Sequence, residues 1–505
     1  MLIKIGSRAS ILSQIQTISV GRALSKKFPN LKIQYEFKDS QGDKDLETPL
    51  WQISGQGIFT KDLQDDLLDG KIDAIIHSWK DLDLKDRPET TVFSVLPRED
   101  QRDVIFYKRR HLTSIPGELV FLTSSPRRSY NLTNFVRDFF PNSLASLPLS
   151  FDSVRGNIQT RFKKFIESKA SGLIVAKAAI DRIMLSESLD GDISELLGNR
   201  EMIRSWINEC VFMVTPLSQN PCAPAQGAIC VEIRKSDLDI QSYFSELTDS
   251  ETEYSAIKER MILRKYGGGC HQKIGVSVLN PNFGELIYIK GETEDGALLD
   301  EMIVNHVVTE KYQKTEVWPP NAKKATKQRE PIAITIPEKD LYVTKGYAVP
   351  ENANLNPNRN LLWTSGTVTW KELAIRGIWV HGTSDGLGEG EMLRLSGILP
   401  RKINLLKLSH DDKQDRIHPV LKTYHLSAPE IPENFDPKKI KAAFWNSGSE
   451  FSILLNRFPE WKDIHHYSGS GSTFLKIRQT LGASAKITVL PTFQYWQKHY
   501  IINNQ

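Results

Sequence analysis

The segment "RKYGGGCHQKIG", residues 264–275, surrounds one cysteine with groups that would make its thiol reactive. Cys270 follows three glycines, and the cationic residues close to it in sequence are Arg264, Lys265, His271 and Lys273. Nearby cations lower the pKa of a thiol, and the thiolate is the form that attacks an electrophilic carbon. Glycines let a bulky group approach the backbone. The alternative is a small, buried, unreactive cysteine, which is common for a lone thiol.

A carboxylate follows the apolar segment "KIDAIIHS", which predicts a strand ending in "HSWKD", residues 77–81. Ligands in open α/β sheets bind at the ends of such strands, so Asp81 is a candidate catalytic residue and Lys80 a candidate partner. The alternative is that Asp81 only caps a loop or pairs with Lys80. We interpret His77 as structural.

An anion site is predicted where "ELVFLTSS" ends and the helix "PRRSYNLTNFV" begins with Pro126 in its first turn. Serine hydroxyls, free N–H groups and guanidinium groups would converge at this helix start. The candidate residues are Ser124, Ser125, Arg127 and Arg128, and the segment "SVRGNIQTRFKKF" adds Arg155 and Arg161. Each arginine taken alone is typical of a solvated surface.

The elements that must position these residues are those of an α/β protein. "MLIKIG" predicts a strand, residues 10–27 a helix and "LKIQYEF" a second strand, which together indicate a βαβ opening. Further helices are expected over residues 61–68 and from Ser255 into the glycine-cysteine loop. The 505 residues, 40% apolar and 25% charged, are enough for about three to five domains.

Composition narrows the class of protein. The four cysteines form no C-x-x-C pair, so neither a disulfide framework nor a metal site is indicated, and a reducing compartment fits best. The N-terminus does not resemble a signal peptide, and no apolar run approaches the ~20 residues of a membrane span. A net charge of +4 without a basic tail argues against nucleic acid. We therefore expect a cytoplasmic protein with no membrane and no nucleic-acid partner.

The character of the chain changes after Trp318, where "PPNAKKATKQREP" predicts a polar linker over residues 319–331. A further domain is expected over residues 332–505. Within it, "LLWTSG" and "AAFWNSG" each predict a strand followed by a Ser-Gly turn and a helix, and "VHGTS" and "HYSGS" follow as second turns. This arrangement indicates a diverged internal repeat of two α/β halves.

Nine motifs in order resemble the porphobilinogen deaminase (hydroxymethylbilane synthase) family over residues 1–315. They are "GSRAS", "QGDKDLETPL", "GQGIFTKDL", "HSWKD", "REDQRD", "TSSPRR", "RGNIQTR", "APAQGA" and "GGGCHQKIG". The resemblance implies an α/β fold of three deaminase domains, with two periplasmic-binding-protein-like lobes over residues 1–103 and 104–200. The first lobe would be completed by residues 222–234, and a small α+β domain over residues 235–318 would bear the cofactor.

The resemblance also implies roles for individual residues. Cys270 would hold a dipyrromethane cofactor by a thioether, and four porphobilinogen units would be added to it with release of ammonia. Asp81 would protonate the departing amine and stabilise the cation that remains. The expected contacts to the acetate and propionate groups are Arg8, Ser10, Asp43, Lys80, Ser124, Ser125, Arg127, Arg128, Arg155 and Arg161. Gln52 and Gln56 stand where the family has lysines, so altered carboxylate contacts are expected.

Residues 332–505 are similar, more faintly, to uroporphyrinogen-III synthase, which would make the chain a bifunctional transferase and lyase of tetrapyrrole and heme biosynthesis. Tyr424 in "TYHLSAP" matches the tyrosine that assists loss of the hydroxyl group of hydroxymethylbilane in that family. N–H groups following Ser365, Ser384, Ser447 and Ser470 would bind carboxylates. The alternative is that these turns only join strands to helices and that Tyr424 is a rim residue.

Three functions therefore remain open at this stage. The first is a monomeric fused deaminase and synthase, or a deaminase with an inactive C-terminal domain. The second is a two-lobed solute-binding or sensor module, which predicts no covalent pyrrole and no requirement for Asp81. The third is a cysteine-nucleophile hydrolase with His271 as base, although no third group that would orient the histidine is evident.

Overall fold

The computed structural model describes residues 1–39, 61–267, 272–323, 327–410 and 417–502, apart from positions 190, 194, 282, 306, 307 and 309. Two of the predicted site residues, Asp43 and Cys270, lie outside the described residues, as do Gln52 and Gln56. The described residues form a mixed α/β fold, which confirms the expected class. None of their helices combines the length and the apolar composition needed to cross a membrane.

The N-terminal strands are β1 (Leu2–Arg8), β2 (Lys32–Lys38), β3 (Ala74–Ser78), β4 (Thr90–Val95), β5 (Asp103–Lys108), β6 (Leu119–Leu122), β7 (Leu149–Asp152), β8 (Gly172–Ala176), β9 (Cys210–Val214), β10 (Ile229–Arg234), β11 (Gly275–Leu279), β12 (Leu286–Glu292) and β13 (Leu298–Val304). The helices among them are α1 (Ile11–Lys27), α2 (Lys61–Leu68), α3 (Pro126–Phe139), α4 (Asn142–Ala145), α5 (Ile158–Glu167), α6 (Lys177–Met184), α7 (Leu196–Asn208), α8 (Leu238–Ser245) and α9 (Ser250–Lys265).

The C-terminal strands are β14 (Val317–Trp318), β15 (Lys327–Pro331), β16 (Asp340–Val343), β17 (Leu362–Thr364), β18 (Gly382–Thr383), β19 (Leu405–His410), β20 (Val420–Pro429), β21 (Ala442–Trp445), β22 (His465–Ser468) and β23 (Ile487–Val489). The helices of this region are α10 (Thr367–Ile375), α11 (Gly448–Arg457), α12 (Ser472–Leu481) and α13 (Phe493–Tyr500).

The first sheet has the strand order β2-β1-β3-β10-β4. Strands β1, β2 and β3 are parallel, as a βαβ opening requires, whereas β10 runs antiparallel to both of its neighbours. The chain thus returns to the first sheet after building the second, and "AICVEI" supplies the returning strand as the sequence predicts. Buried aliphatic residues of β1, α1 and β10 fill the core of this unit.

The second sheet has the order β7-β6-β8-β5-β9. In chain order this sheet begins with β5 and ends with β9. The second unit therefore extends to Val214, beyond the boundary expected at residue 200. The segment 200–221, which has no counterpart among the motifs above, contributes most of α7 and the edge strand β9. A third, three-stranded sheet, β11-β12-β13, packs on α9.

The C-terminal region contains two sheets, and the chain passes between them twice. Strand β14 pairs with β21 in the order β14-β21-β22-β23, and the chain then enters the sheet β15-β20-β19-β16-β17-β18 before it returns. Strand β15 lies antiparallel to β20, so the two crossing segments pair with each other. Residues 327–331 of the expected linker are therefore part of a sheet, because pairing with β20 outweighs their polar composition.

Both C-terminal sheets pack against the N-terminal units. One buried cluster joins Phe135 and Phe139 of α3 to Trp370 and Trp379. A second joins side chains of β12 to side chains of β21 and α13. At the sheet edges, the Val214 N–H donates to the His381 carbonyl at 2.8 Å, beside the edge strands β9 and β18. The two halves of the chain thus share continuous cores, which covers a strand edge that would otherwise be exposed.

Candidate functional site

Asp81 lies at the carboxyl end of β3, in a short 3₁₀ turn formed by residues 79–81. Trp79 is buried and anchors this turn, because its carbonyl accepts hydrogen bonds from the Leu82 N–H and the Arg260 guanidinium. Asp81 itself is exposed. The strand therefore delivers a solvent-accessible carboxylate from a rigid support, as the spacing within "HSWKD" predicts.

His77, on β3 itself, contacts the neighbouring strand β10. Its Nε2 lies 3.0 Å from the Glu232 carboxylate on β10, and both side chains are buried. Glu232 also accepts hydrogen bonds from Arg87 and Thr90, and His77 and Arg87 contribute to holding the pKa of Glu232 at about 2 despite the opposing effect of burial. This network ties β10 to β3 and agrees with a structural role for His77.

Asp81 lies within electrostatic range of Lys80 and Arg161, and Arg161 in turn is within range of Arg8, Arg128 and Arg155. These five cationic side chains are here called the cation cluster. Burial is the main cause that lowers the pKa of Arg161, to about 10, and the charges of Arg128, Arg155 and Arg8 lower it further while Asp81 opposes them. Burial likewise lowers the pKa of Lys80, with Arg128 and Arg161 acting in the same direction. These mutual effects show that residues predicted from separate motifs lie within electrostatic range of one another.

The N-terminus of α3 brings two arginines to this region. Ser125 caps the helix by accepting from the Arg128 N–H, and Pro126 occupies the first turn. Arg128 and Arg127 are both buried and share Asp103, whose carboxylate oxygens each lie 2.7 Å from one guanidinium. The two arginines, with burial opposing them, hold the pKa of Asp103 far below its usual range. The N–H groups of a helix start and two fixed cations are thus held together.

The guanidinium of Arg127 makes more hydrogen bonds than that of Arg128. Its NH1 donates to the Asn220 side chain at 2.9 Å and to the Pro221 carbonyl at 2.6 Å, while its NH2 donates to Asp103. The Nε atoms of both arginines are buried and have no hydrogen-bond partner among the described residues. Arg127 therefore lies behind the cation cluster, where it links α3 to the segment that returns to the first sheet.

The predicted serines support the backbone around the site. Ser10 caps α1, and its hydroxyl lies 2.9 Å from that of Ser13. Ser124 donates to the Val154 carbonyl at 2.6 Å and accepts from the Val154 N–H at 3.1 Å, which fixes the strand leading to Arg155. Ser124 and Ser125 thus support the backbone next to Arg155 and Arg128, whereas Ser10 supports the start of α1.

The residues that flank the Cys270 loop are partly neutralised. Arg264 lies 2.9 Å from Asp86, and Lys273 forms an ion pair with Glu292, so two of the expected cations have acidic partners. Gln272 donates to the Tyr266 carbonyl at 2.6 Å and thereby joins the two ends of the loop. The carboxylate of Glu259, which pairs with Arg98, holds α9 in place before the loop.

The other three cysteines are buried on strands or beside them. Burial is the main cause that raises the pKa values of Cys210 and Cys222 to about 12 and that of Cys230 well above its usual value. Thiols with such pKa values stay protonated near neutral pH and are poor nucleophiles. These cysteines are therefore structural.

Asp103 and Asn220 are site residues that sequence reasoning missed. Asp103 stands inside the quoted motif "REDQRD", but its partners on α3 and in the returning segment become visible only in three dimensions. Gly275 marks the same junction: a Cβ at this position would lie 2.2 Å from the Pro221 carbonyl oxygen. No larger residue fits where the third unit approaches the returning chain.

Tyr424 lies in the crossing strand β20 and is 4% exposed. Its ring packs edge-on against Tyr347, with centroids 5.0 Å apart, and lies 5.8 Å from the ring of His410. Burial, assisted by Tyr347, raises its pKa far above the usual value, so the phenol remains protonated. His410 in turn contacts Ser449 of α11 at 3.3 Å. Tyr424 is thus a buried residue at the junction of the two C-terminal sheets.

The two predicted Ser-Gly turns and the two second turns all form hydrogen bonds within the protein. The Ser365 hydroxyl donates to the Thr344 carbonyl, Ser384 accepts from Tyr342, and Ser447 caps α11. Ser470 donates to the Gly386 carbonyl at 3.0 Å, so the second turns of the two repeats meet each other. Of the four turns, the two second turns are therefore in direct contact.

Comparisons with known proteins assign the N-terminal half. Residues 3–242 match the family model described as "Porphobilinogen deaminase, dipyromethane cofactor binding domain", which confirms the expected dipyrromethane cofactor at the level of the family. A solved structure of the BenM effector-binding domain with benzoate aligns with 53% of this chain and 93% of its own. The identity is 16% and the TM-score is 0.26.

Two curated relatives cover most of their own length. The porphobilinogen deaminase of Clostridium novyi (strain NT) is 30% identical over 301 residues, which are 59% of this chain and 90% of that protein. That of Desulfitobacterium hafniense (strain DSM 10664 / DCB-2) is 34% identical over 274 residues, 54% of this chain and 79% of that protein. The cation cluster lies within the matched residues 3–242. Because the chain covers most of the length of these relatives at 30% identity or more, it belongs to the porphobilinogen deaminase family.

Proposed function

We propose that the N-terminal half is a hydroxymethylbilane synthase, which joins four porphobilinogen units head to tail and releases ammonia at each step. The observation that carries this proposal is the exposed carboxylate of Asp81 within a cluster of five cations. A substrate that carries two carboxylates and a basic amine needs both kinds of group in one place. The reducing compartment suggested by composition makes the cytoplasm the proposed location, with the chain acting as a monomer.

The residues fit a dipyrromethane held at Cys270. The cation cluster brings several positive charges close together, which lowers the pKa of Arg161, and a group bearing several carboxylates would interact favourably with them. Arg8, Lys80, Arg128, Arg155 and Arg161 would hold those carboxylates. When bound, the dipyrromethane supplies the pyrrole carbon to which each new unit is joined.

Asp81 has the position expected of the proton donor. Its carboxyl group would give a proton to the amine of the incoming porphobilinogen, so that the carbon–nitrogen bond breaks with the electron pair leaving on ammonia. The resulting carboxylate would then stabilise the cation left on the substrate. The neighbouring cations would hold the carboxylates of the substrate close to Asp81. Asp81 itself remains exposed and therefore accessible to the amine.

Incubation of the purified full chain with porphobilinogen tests this function. We expect one ammonia released for each porphobilinogen consumed and a linear bilane product. Binding of porphobilinogen without release of ammonia would instead support a solute-binding module. Hydrolysis of esters or amides that persists without Asp81 would support the cysteine hydrolase.

We also propose a uroporphyrinogen-III synthase activity for the C-terminal region. The supporting observation is that Tyr424 contacts His410 and that His410 contacts Ser449, a residue of the helix that follows a strand of the other C-terminal sheet. A protonated phenol at this junction could assist departure of the bilane hydroxyl group. Formation of the type III isomer from porphobilinogen by the full chain supports this activity, and type I alone contradicts it.

A further inference from the structure

A tryptophan of the C-terminal region lies against the helix that carries the arginines of the site. Trp370 of α10 is completely buried, and its Nε1 donates to the Phe139 carbonyl at 2.9 Å, at the end of α3. The last carbonyls of a helix have no partner within the helix, so this bond satisfies one of them from outside. The contact is therefore a cap supplied by the other half of the chain.

Ring contacts hold the same helix from the side. Phe135 and Phe139 meet Trp370 edge to face, with ring centroids 5.5 and 5.7 Å apart. Such pairs are directional, so they fix the rotation of α3 about its axis as well as its distance from α10. Lys371 adds an exposed ion pair with Asp138 at 2.9 Å.

The opposite end of α3 belongs to the functional site. Ser125 caps this end, and Arg128 pairs with Asp103 and lies within electrostatic range of Lys80 and Arg161. A helix of this length spans about 21 Å and behaves as a rod, so a tilt at Phe139 moves Arg128. Asp81 is carried by the turn after β3 and does not depend on α3.

We propose that Trp370 is a positioning residue for the deaminase site, through which the C-terminal region sets the placement of Arg128 relative to the cation cluster. This inference rests on the proposed deaminase function. Arg128 would bind carboxylates that are present in the substrate and in the transition state alike. Loss of its placement should therefore raise KM and leave kcat largely unchanged, because Asp81 stays in place.

Trp370→Phe in the full chain tests this, with Trp461→Phe as the matched control. Trp461 is also completely buried and donates its Nε1 to a carbonyl, that of Pro437 at 3.0 Å, but it lies in a cluster formed only by C-terminal residues. Both variants lose an indole N–H and similar volume. We expect Trp370→Phe alone to raise KM for porphobilinogen, on the order of 3- to 10-fold.

Amide hydrogen exchange gives a readout that does not depend on turnover. Peptides from residues 126–139 should exchange faster in Trp370→Phe and at the parental rate in Trp461→Phe. Should Trp370→Phe fail to fold, Phe135→Leu trims the same contact from the α3 side and should show both effects. If the parent is active and Trp370→Phe has the same KM and the same exchange rate over residues 126–139 as the parent, the inference is overturned. A parent that releases no ammonia would overturn the deaminase function, while the exchange result would still decide whether Trp370 holds α3.

Discussion

Asp103 accepts a hydrogen bond from Arg128 at 2.7 Å, and its second carboxylate oxygen accepts one from Arg127 at the same distance. All three side chains are buried. Breaking a buried ion pair leaves an uncompensated charge, so such a group stabilises the fold far more than an exposed pair does. The buried carboxylate thus orients both α3 arginines.

Asp103→Asn should destabilise the protein by about 3 to 5 kcal/mol, because two buried guanidinium groups lose their counter-charge. Urea unfolding measures this change. Asp138→Asn is the control, since its pair with Lys371 is about half exposed and should contribute only about 0 to 1 kcal/mol. Equal losses in the two variants would contradict the assignment of Asp103 as the support of α3.

Asp81→Asn should fold normally and lose activity. The side chain is exposed, so stability should change little, whereas removal of the proton donor should slow ammonia release by at least ~100-fold. Steady-state assays and thermal unfolding measure the two effects. The exposed Asp69, which pairs with Lys71 on the surface, provides the control Asp69→Asn, for which parental rates are expected. A rate within a few-fold of the parent for Asp81→Asn would assign the proton to another group.

Mass spectrometry of the denatured chain should show one covalent adduct of two linked pyrroles. Analysis of a digest should locate this adduct in the peptide that contains Cys270. The other three thiols are buried and have raised pKa values, so they should remain unmodified by the pyrrole and by iodoacetamide at pH 8 in the folded protein. Cys270→Ala should carry no adduct and release no ammonia. A fully active parent whose Cys270 thiol is unmodified would rule out the proposed attachment.

The burial of Asp385 should make stability depend on pH. Burial raises the pKa of this carboxyl to about 6, although the hydrogen bond that the Ser218 N–H donates to it at 2.9 Å acts in the opposite direction. Because the folded-state pKa exceeds the unfolded value of about 3.9, the contribution is complete below pH 3.9 and is lost as the pH rises through 6. Relative to Asp385→Asn, the parent should lose about 2 kcal/mol between pH 4.5 and pH 8, as measured by urea unfolding. Parallel pH profiles would contradict this.

Tyr424→Phe in the full chain should leave ammonia release intact and shift the product from the type III to the type I uroporphyrinogen isomer. The physical reason is the loss of one protonated phenol at the junction of the C-terminal sheets. Tyr500→Phe, which alters a buried phenol on α13, is the control and should retain the type III product. Isomer analysis by chromatography distinguishes them. Unchanged type III formation by Tyr424→Phe would show that this phenol is dispensable.

Local signals in the sequence predicted the elements that carry the site. The alternation from strand to helix over residues 2–38, the cap at Ser125 with Pro126 beside it, and the strand before Asp81 all appear in the structure where their patterns indicate. Each of these signals depends on neighbours within a few residues. They are therefore visible without knowledge of the fold.

Contacts between distant segments could not be predicted in the same way. The pattern around Trp370 indicates a buried helix face, but nothing in it says whether the partner is the helix's own sheet or α3. The polar sequence of strand β15 predicts a linker. Only its pairing with β20, a distant segment, makes it a strand. The separate roles of Arg127 and Arg128 likewise depend on Asn220, which lies 93 positions away from Arg127.

The meeting of β9 with the segment at His381 has a consequence for how the chain can be divided. Phe135 of the N-terminal half shares a core with Trp370 of the C-terminal half, and the Phe212 carbonyl accepts a hydrogen bond from Trp379, so each half restricts which substitutions the other tolerates. A chain cut near position 327 would give two pieces that each expose an apolar face to water. Such pieces are expected to stay soluble only when they are produced together.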